Sequence, residues 1–305
     1  MQQWLRWLRW LRRGPRTERK DAGATKPTFI SGGRLRAAGV PYMLPTDNQE
    51  INRLDFQHYL LRYALRGNYA VPITNPASIL DVGTGSGRWA REMAMQFPEA
   101  SVVGLDIVPP PADAERRTDL HPTNCRFVQG NVLEGLPFPD ASFDFVHMRL
   151  MVLALPAAQW PFVVHELVRV TRPGGWVESV EYGGEQRAGP AISQLMLWGT
   201  QASALRGIDT AYSTQVGELL HAAGLQNVRT QEVDLPLGAY GGRVGVMNGV
   251  DLLTAMKALG SLYVTQGIAT TEEFERTIQA AQAEVESRHY RAVSPFYVAF
   301  GQRVR

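Results

Sequence analysis

A chain of 305 residues with a formal net charge of +2, 45% apolar and 20% charged, has the composition of an ordinary globular enzyme. It is long enough to bury one large core, or a core with a cap. One cysteine excludes an internal disulfide and a cysteine-rich metal site, and no apolar run reaches the roughly 18 residues that a membrane span needs. The six histidines show no ligand spacing, so no metal is expected, and a reducing cytoplasmic setting is the natural reading. Cys125, at the start of a strand, is expected to be a buried structural thiol.

The small net charge hides an asymmetry. Residues 1–36 hold 10 Lys/Arg and 2 Asp/Glu, a net of +8, which leaves a net of −6 on the remainder. Within them Trp4-Leu-Arg, Trp7-Leu-Arg and Trp10-Leu-Arg repeat in tandem. At helical spacing Trp4, Trp7, Leu8 and Leu11 share a face, with Arg6, Arg9 and Arg13 opposite. Residues 1–13 are therefore a basic amphipathic segment. Two readings stand: it lies peripherally on an anionic membrane surface, or it docks on its own domain or a second subunit. Arginines interrupt it too often for a secretory signal. Gly14 to Gly33 reads as a linker.

Thr46 with Gln49 fits a capping box opening a helix, in which Ile51, Leu54, His58, Leu61 and Leu65 form a stripe before a stop at Gly67. Ile79 to Val82 is a short buried strand, followed by Gly83, Gly85 and Gly87 and then a helical pattern over Arg88–Phe97. A strand that turns on glycines into a helix leaves backbone N–H groups for a ligand and lets it approach closely. The spacing is G-x-G-x-G and not the dinucleotide G-x-G-x-x-G, and Asp81 precedes the first glycine by two positions. A carboxylate there opposes a pyrophosphate and suits a ligand carrying an ammonium and a sulfonium. Val102 to Asp106 is a second strand ending in an acid, placed to accept ribose hydroxyls.

With Asp81-Val-Gly-Thr-Gly-Ser-Gly87 and Asp106, the chain resembles the class I S-adenosylmethionine-dependent methyltransferases. The resemblance implies an α/β, Rossmann-like sheet of seven mostly parallel strands, the last antiparallel. Helices would cover both faces, with an N-terminal helical lid and a helical insertion between the last two strands. It implies S-adenosylmethionine as cofactor, held by Asp81, Gly83, Thr84, Gly85, Gly87, Asp106, Ile107 and Met148, with Asn131 and Val132 beside the adenine. For Asn131 an Asx turn is the competing reading.

Further along, Arg126–Gln129 and Phe143–His147 are strands, and Trp160–Val170 a helix with Phe162, Val163, Leu167 and Val170 inward. Arg172-Pro-Gly-Gly175 turns into a strand over Trp176–Tyr182. His147-Met148-Arg149 stands where amino-base methyltransferases carry (Asn/Asp)-Pro-Pro-(Tyr/Phe) and cytosine-carbon enzymes a Pro-Cys, which argues against base methylation of nucleic acid. Helices are expected over Ile192–Leu205, Thr214–Ala223, Asn248–Val264 and Thr271–His289, the last with a Thr270/Glu273 capping box, and strands over Asn227–Val233 and Ser294–Phe300.

Five segments follow: a tail and linker (1–36), a lid (37–72), the core (73–242), a helical cap (243–290) and a final strand (291–305). Tyr42, Gln57, His58 and Tyr69 from the lid, and Met247, Met256, Leu259 and Tyr263 from the cap, are the residues expected to face the site. Pro41-Tyr-Met-Leu-Pro-Thr-Asp47, Arg53-Leu-Asp-Phe-Gln-His58 and Pro295-Phe-Tyr-Val-Ala-Phe-Gly301 resemble LaeA-type methyltransferases, which include fungal regulators of secondary metabolism and bacterial relatives acting on natural products. His147, with Glu181, His58 and Tyr182 behind it, is the expected general base. A small, largely apolar acceptor methylated at O, N or C is the leading expectation. A protein or RNA acceptor recruited by the basic tail, and a cofactor-binding regulator without turnover, are the alternatives.

Overall fold

In the computed structural model, residues 27–30, 34–110 and 122–304 are described, with the side chains of 27–30 excepted. The Trp-Leu-Arg repeat and most of the linker lie outside them. The chain enters through a two-stranded antiparallel ribbon, β1 (Pro27–Ile30) and β2 (Arg34–Ala37), and then α1 (Asn48–Ala64). The main sheet holds β3 (Ser78–Val82), β4 (Ser101–Asp106), β5 (Cys125–Gln129), β6 (Phe143–Arg149), β7 (Thr171–Tyr182), β8 (Gln226–Pro236) and β9 (Val293–Gln302). Its order is β5-β4-β3-β6-β7-β9-β8. The first five are parallel, and β9 runs antiparallel to both its neighbours. This is the expected class I sheet.

Period-two alternation sorts the strand residues between two cores. Leu80, Val82, Val103, Leu105, Val146 and Met148 face α3 (Trp160–Val170) and α5 (Tyr212–Ala222) on one side. Ile79, Val102, Phe145, Val180 and Val298 face Trp89, Ala90 and Met93 of α2 (Arg88–Gln96) on the other. A third core forms away from the sheet. There α4 (Pro190–Ala204), α6 (Gly242–Thr265) and α7 (Thr271–Glu286) pack around Leu195, Trp198, Leu259, Tyr263 and Ile278, and Met43 and Leu44 join them from the segment before α1.

Local details depart from the sequence reading where a nearby partner decides. Asp47, not Thr46, caps α1: its Oδ1 accepts the Glu50 N–H at 3.0 Å while Arg34 from β2 holds both carboxylate oxygens at 2.6 Å. After α1 the left-handed residue is Arg66 (φ 60°), one before the expected Gly67. The Pro-Gly-Gly stretch lies inside β7 rather than ahead of it, Phe162 is exposed, and Cys125 is half-buried. The Thr270/Glu273 capping box is present.

The roof is tied together by charge. Arg53 on α1 donates to Glu50 (2.6 and 2.9 Å) and to Asp251 on α6 (2.8 Å), and Gln57 reaches the other Asp251 oxygen at 2.8 Å. All three charged groups are buried, so removing the cation strands two carboxylates. Arg53→Met is expected to cost about 3–5 kcal/mol of stability; urea unfolding of the two proteins measures it.

Candidate active site

At the carboxyl ends of β3, β4, β6 and β7 lies a cavity of about 530 Å³, roofed by α1 and α6. Its size is that of a small-molecule site. One end is the glycine turn. Gly83, Gly85 and Gly87 all have positive φ (72°, 54° and 74°), which only glycine adopts at little cost. Gly83 and Gly85 line the cavity, and a Cβ on Gly83 would sit 2.5 Å from the Met151 sulfur. Gly87 faces elsewhere: a Cβ there would meet the Phe127 ring at 2.6 Å, so its role is packing.

The turn offers fewer backbone donors than its sequence suggests. The N–H groups of Gly83 and Thr84 bond to the Leu105 carbonyl, that of Gly87 to the Thr84 carbonyl, and that of Gly85 to Asp106 Oδ2 at 2.8 Å. The turn folds back on β4, so what it gives a ligand is clearance. Asp106 also accepts the Val108 N–H at 3.0 Å, and burial pushes its carboxyl up to about 6 against these bonds. Asp81 is held between the Thr84 hydroxyl (2.6 Å) and His147 Nδ1 (2.8 Å).

Asp81, Gly83, Thr84, Gly85, Asp106, Ile107, Asn131 and Val132 line the cavity together. Asn131 is in the Asx turn: its Oδ1 accepts the Leu133 N–H at 3.1 Å and its amide donates to Glu134 at 3.0 Å. Met148 does not line the cavity, because alternation turns it into the core against α3. Arg149, one residue on, lines it instead.

Of the four residues expected as general base, Tyr182 lines the cavity, and His147, His58 and Glu181 lie outside its wall. His147 points to the α2 face, where its ring stacks on Trp89 (3.8 Å between centroids, 5° between planes). Burial lowers its pKa despite Asp81, so the neutral ring donates Nδ1–H to Asp81 and positions that carboxylate. His58 packs beneath α1 with Nε2 3.1 Å from Glu92, its pKa also lowered by burial. Glu181 accepts the Val152 N–H at 2.8 Å and the Ser179 hydroxyl at 3.1 Å, anchoring the loop after β6. Of the lid and cap residues expected at the site, Tyr42, Gln57 and Met256 line the cavity; Met247, Leu259 and Tyr263 pack into apolar clusters, and Tyr69 packs against Phe97 and Phe145.

The methyltransferase-domain family profile matches residues 79–175, the span from the first main strand through the glycine pair of β7. Methyltransferase str3 of Strobilurus tenacellus is 34% identical over 209 residues, which cover 66% of this chain and 72% of the relative. The chain belongs to the class I S-adenosylmethionine-dependent methyltransferases, in their LaeA-like subgroup. The secondary metabolism regulator laeA of Aspergillus fumigatus is 34% identical over 211 residues, 65% of this chain but about half (54%) of the regulator. A candidate methyltransferase from an antibiotic biosynthesis pathway of Anabaena variabilis shares the fold, with a TM-score of 0.52 and 15% identity, over 79% of this chain and 97% of that one.

The methyltransferase cavity fits the class cofactor, S-adenosylmethionine, in the chemistry of its walls. Carboxylates at Asp81 and Asp106 flank the glycine turn, and the Arg149 guanidinium has no carboxylate within 4 Å among the described residues, its one hydrogen-bond contact being His58 Nδ1 at 3.3 Å. Among the described residues no cluster of three or more His, Cys, Asp or Glu could hold a metal, and no helix is long and apolar enough to cross a membrane.

Sequence reasoning missed Arg149, Glu185 and Asp251, all on the cavity wall. For Asp251 a signal existed: it is a lone acid next to Leu252 and Leu253 on an apolar helix, a position that demands a buried partner.

Burial pushes Glu181 up to about 8 against its backbone donors. A folded-state value above the unfolded one contributes stability below the unfolded pKa, and that contribution is lost as pH rises towards 8. Glu181→Gln keeps a carbonyl for the Val152 N–H and removes the titration. Its stability relative to the parent is expected to improve by about 1–3 kcal/mol from pH ~5 to pH ~8, read by thermal melts across that range.

Proposed function

We propose that this methyltransferase acts on a small, largely apolar acceptor of the natural-product type. The observation that carries the reading is the continuity of one cavity, from the glycine turn and Asp106 to a chamber walled by Leu153, Leu252, Ala255, Met256 and Phe296 under α1 and α6. A roof tied by a buried ion-pair network suits an enclosed small molecule better than a polymer chain. The likeness to str3, a methyltransferase, supports the same direction.

At the cofactor end, Asp106 accepts the ribose hydroxyls and Asp81, oriented by His147 and Thr84, faces the ammonium. Ile107 and Val132 cover the adenine, with Asn131 shaping the adjoining turn. Arg149 answers the α-carboxylate, giving a buried guanidinium a carboxylate in direct contact where Asp81, Glu178 and Glu92 act on it only from a distance. The cofactor supplies a methyl group on a positively charged sulfur, ready for in-line displacement. The protein's contribution is alignment in a dry enclosure, worth up to about 7–11 kcal/mol of the barrier.

Asp106→Ala is expected to weaken S-adenosylmethionine binding by roughly 1.5–3 kcal/mol, the value of charged hydrogen bonds, and Arg149→Met by a similar amount. Isothermal calorimetry with S-adenosylhomocysteine measures both, and unchanged affinity in either variant removes that residue from the site. Formation of S-adenosylhomocysteine across a panel of apolar phenols, amines and amides tests the acceptor class; turnover confined to protein or RNA would overturn it.

A further inference from the structure

At the acceptor end of the cavity one carboxyl group stands apart from every other acid. Glu185 lies three residues beyond β7, past the Gly183-Gly184 bend, and lines the cavity. Asp251, across from it on α6, is committed to Arg53 and Gln57. Glu178 and Glu181 are spent on backbone N–H groups, of Ala70 and Val152. Glu185 has no cation within 4 Å among the described residues. It accepts from the Tyr182 hydroxyl and, at 3.3 Å, from Ser294, which is itself held by Asn248 at 2.8 Å. A carboxylate has room for about four hydrogen bonds, so these two donors and the Glu185 backbone N–H still leave capacity facing the cavity.

We infer that Glu185 is the proton acceptor of the methyl-transfer reaction, and that the acceptor substrate presents to it an acidic hydroxyl, phenolic or enolic, on an otherwise apolar body. This rests on the methyltransferase reading above and deepens it. The acceptor's O–H bond breaks with its proton passing to a Glu185 oxygen, and the oxygen's electron pair forms the bond to the methyl carbon. The pair of the broken carbon–sulfur bond stays on sulfur, and Glu185 later returns its proton to solvent. The groups facing Glu185 are Tyr182 from β7, Ser294 from β9 and Asp251 from α6, with Tyr263 behind Tyr182 and Arg53 and Glu50 of α1 beyond Asp251. Burial, with Asp251 adding to it, pushes Glu185 up to about 7 against the Tyr182 and Ser294 hydrogen bonds. A base of that strength matches phenols and enols and is far too weak for a simple alcohol.

The test uses the full chain, with 4-nitrophenol and phenol as probes and benzylamine as the contrast. Calorimetry with S-adenosylhomocysteine comes first: failure to bind it would sink the cofactor reading and this assignment with it, whereas binding it and failing the arms below would sink this assignment alone. With the product-loaded protein, Glu185→Gln is expected to weaken 4-nitrophenol binding about five- to tenfold, the difference between a charged and a neutral acceptor, with the affinity for S-adenosylhomocysteine unchanged. Turnover of the phenols by the parent protein should fall as pH drops below about 7, because the base is then protonated. In Glu185→Gln it should fall about 10²–10⁴-fold, with the acid limb moving towards the phenol's own ionisation. Tyr182→Phe removes a donor that favours the charged carboxylate, so its limb should move to higher pH while turnover persists. Parent-like kcat and an unmoved limb in Glu185→Gln, neither phenol bound, or benzylamine methylated while the phenols are not, would each overturn the assignment.

Discussion

The site depends on two carboxylates at the ends of adjacent parallel strands, each of which stabilises backbone or side chains around the glycine turn. Asp106 closes the turn by accepting the Gly85 N–H, and Asp81 is clamped between Thr84 and His147. Because β3 and β4 pair in register, with Asp81 opposite Gly104 and Val82 opposite Leu105, the two acids reach the same end of the sheet. Burial works against the charge of Asp106, and the hydrogen bonds from Gly85 and Val108 work for it. The outcome is a collar of two carboxylates around a glycine turn that the Met151 and Leu54 side chains approach closely at Gly83 and Gly85.

Around that collar the remaining buried acids act as struts. Glu178 takes the Ala70 N–H and so moors the segment leading into β3, and Glu181 takes the Val152 N–H and fixes the loop that covers the turn. Neither is paired with a cation within 4 Å among the described residues, which is why burial pushes both up, to about 7 and about 8. A single strand, β7, thus presents acids to opposite sides of the sheet, one steadying the entry to β3 and the other the floor of the cavity.

What was legible in the sequence is what the backbone itself demands. Gly83 and Gly85 announce positive φ beside a ligand, Asp81 and Asp106 lie at strand ends that chain order fixes, and the alternation of strands and helices gives the sheet. Side-chain direction was harder. His147 has the residue type of a base and sits near a strand tip, but β6 runs on to Arg149, and period two points His147 at Trp89. Phe162 fits a helical stripe and is nevertheless exposed. Glu185 and Asp251 lie 66 residues apart in the sequence, and only the folded roof brings both to one cavity. No local pattern encodes that meeting.

The Arg53–Asp251 contact joins side chains 198 positions apart. It makes the front and back of the canopy a single mechanical unit. Exchanging the cap helices between relatives to alter acceptor range would leave Arg53 facing a stranger, unless the segment containing Glu50, Arg53 and Gln57 travelled with them. Chimaeras that respect this pairing should fold more readily than those cut between β7 and β9 alone.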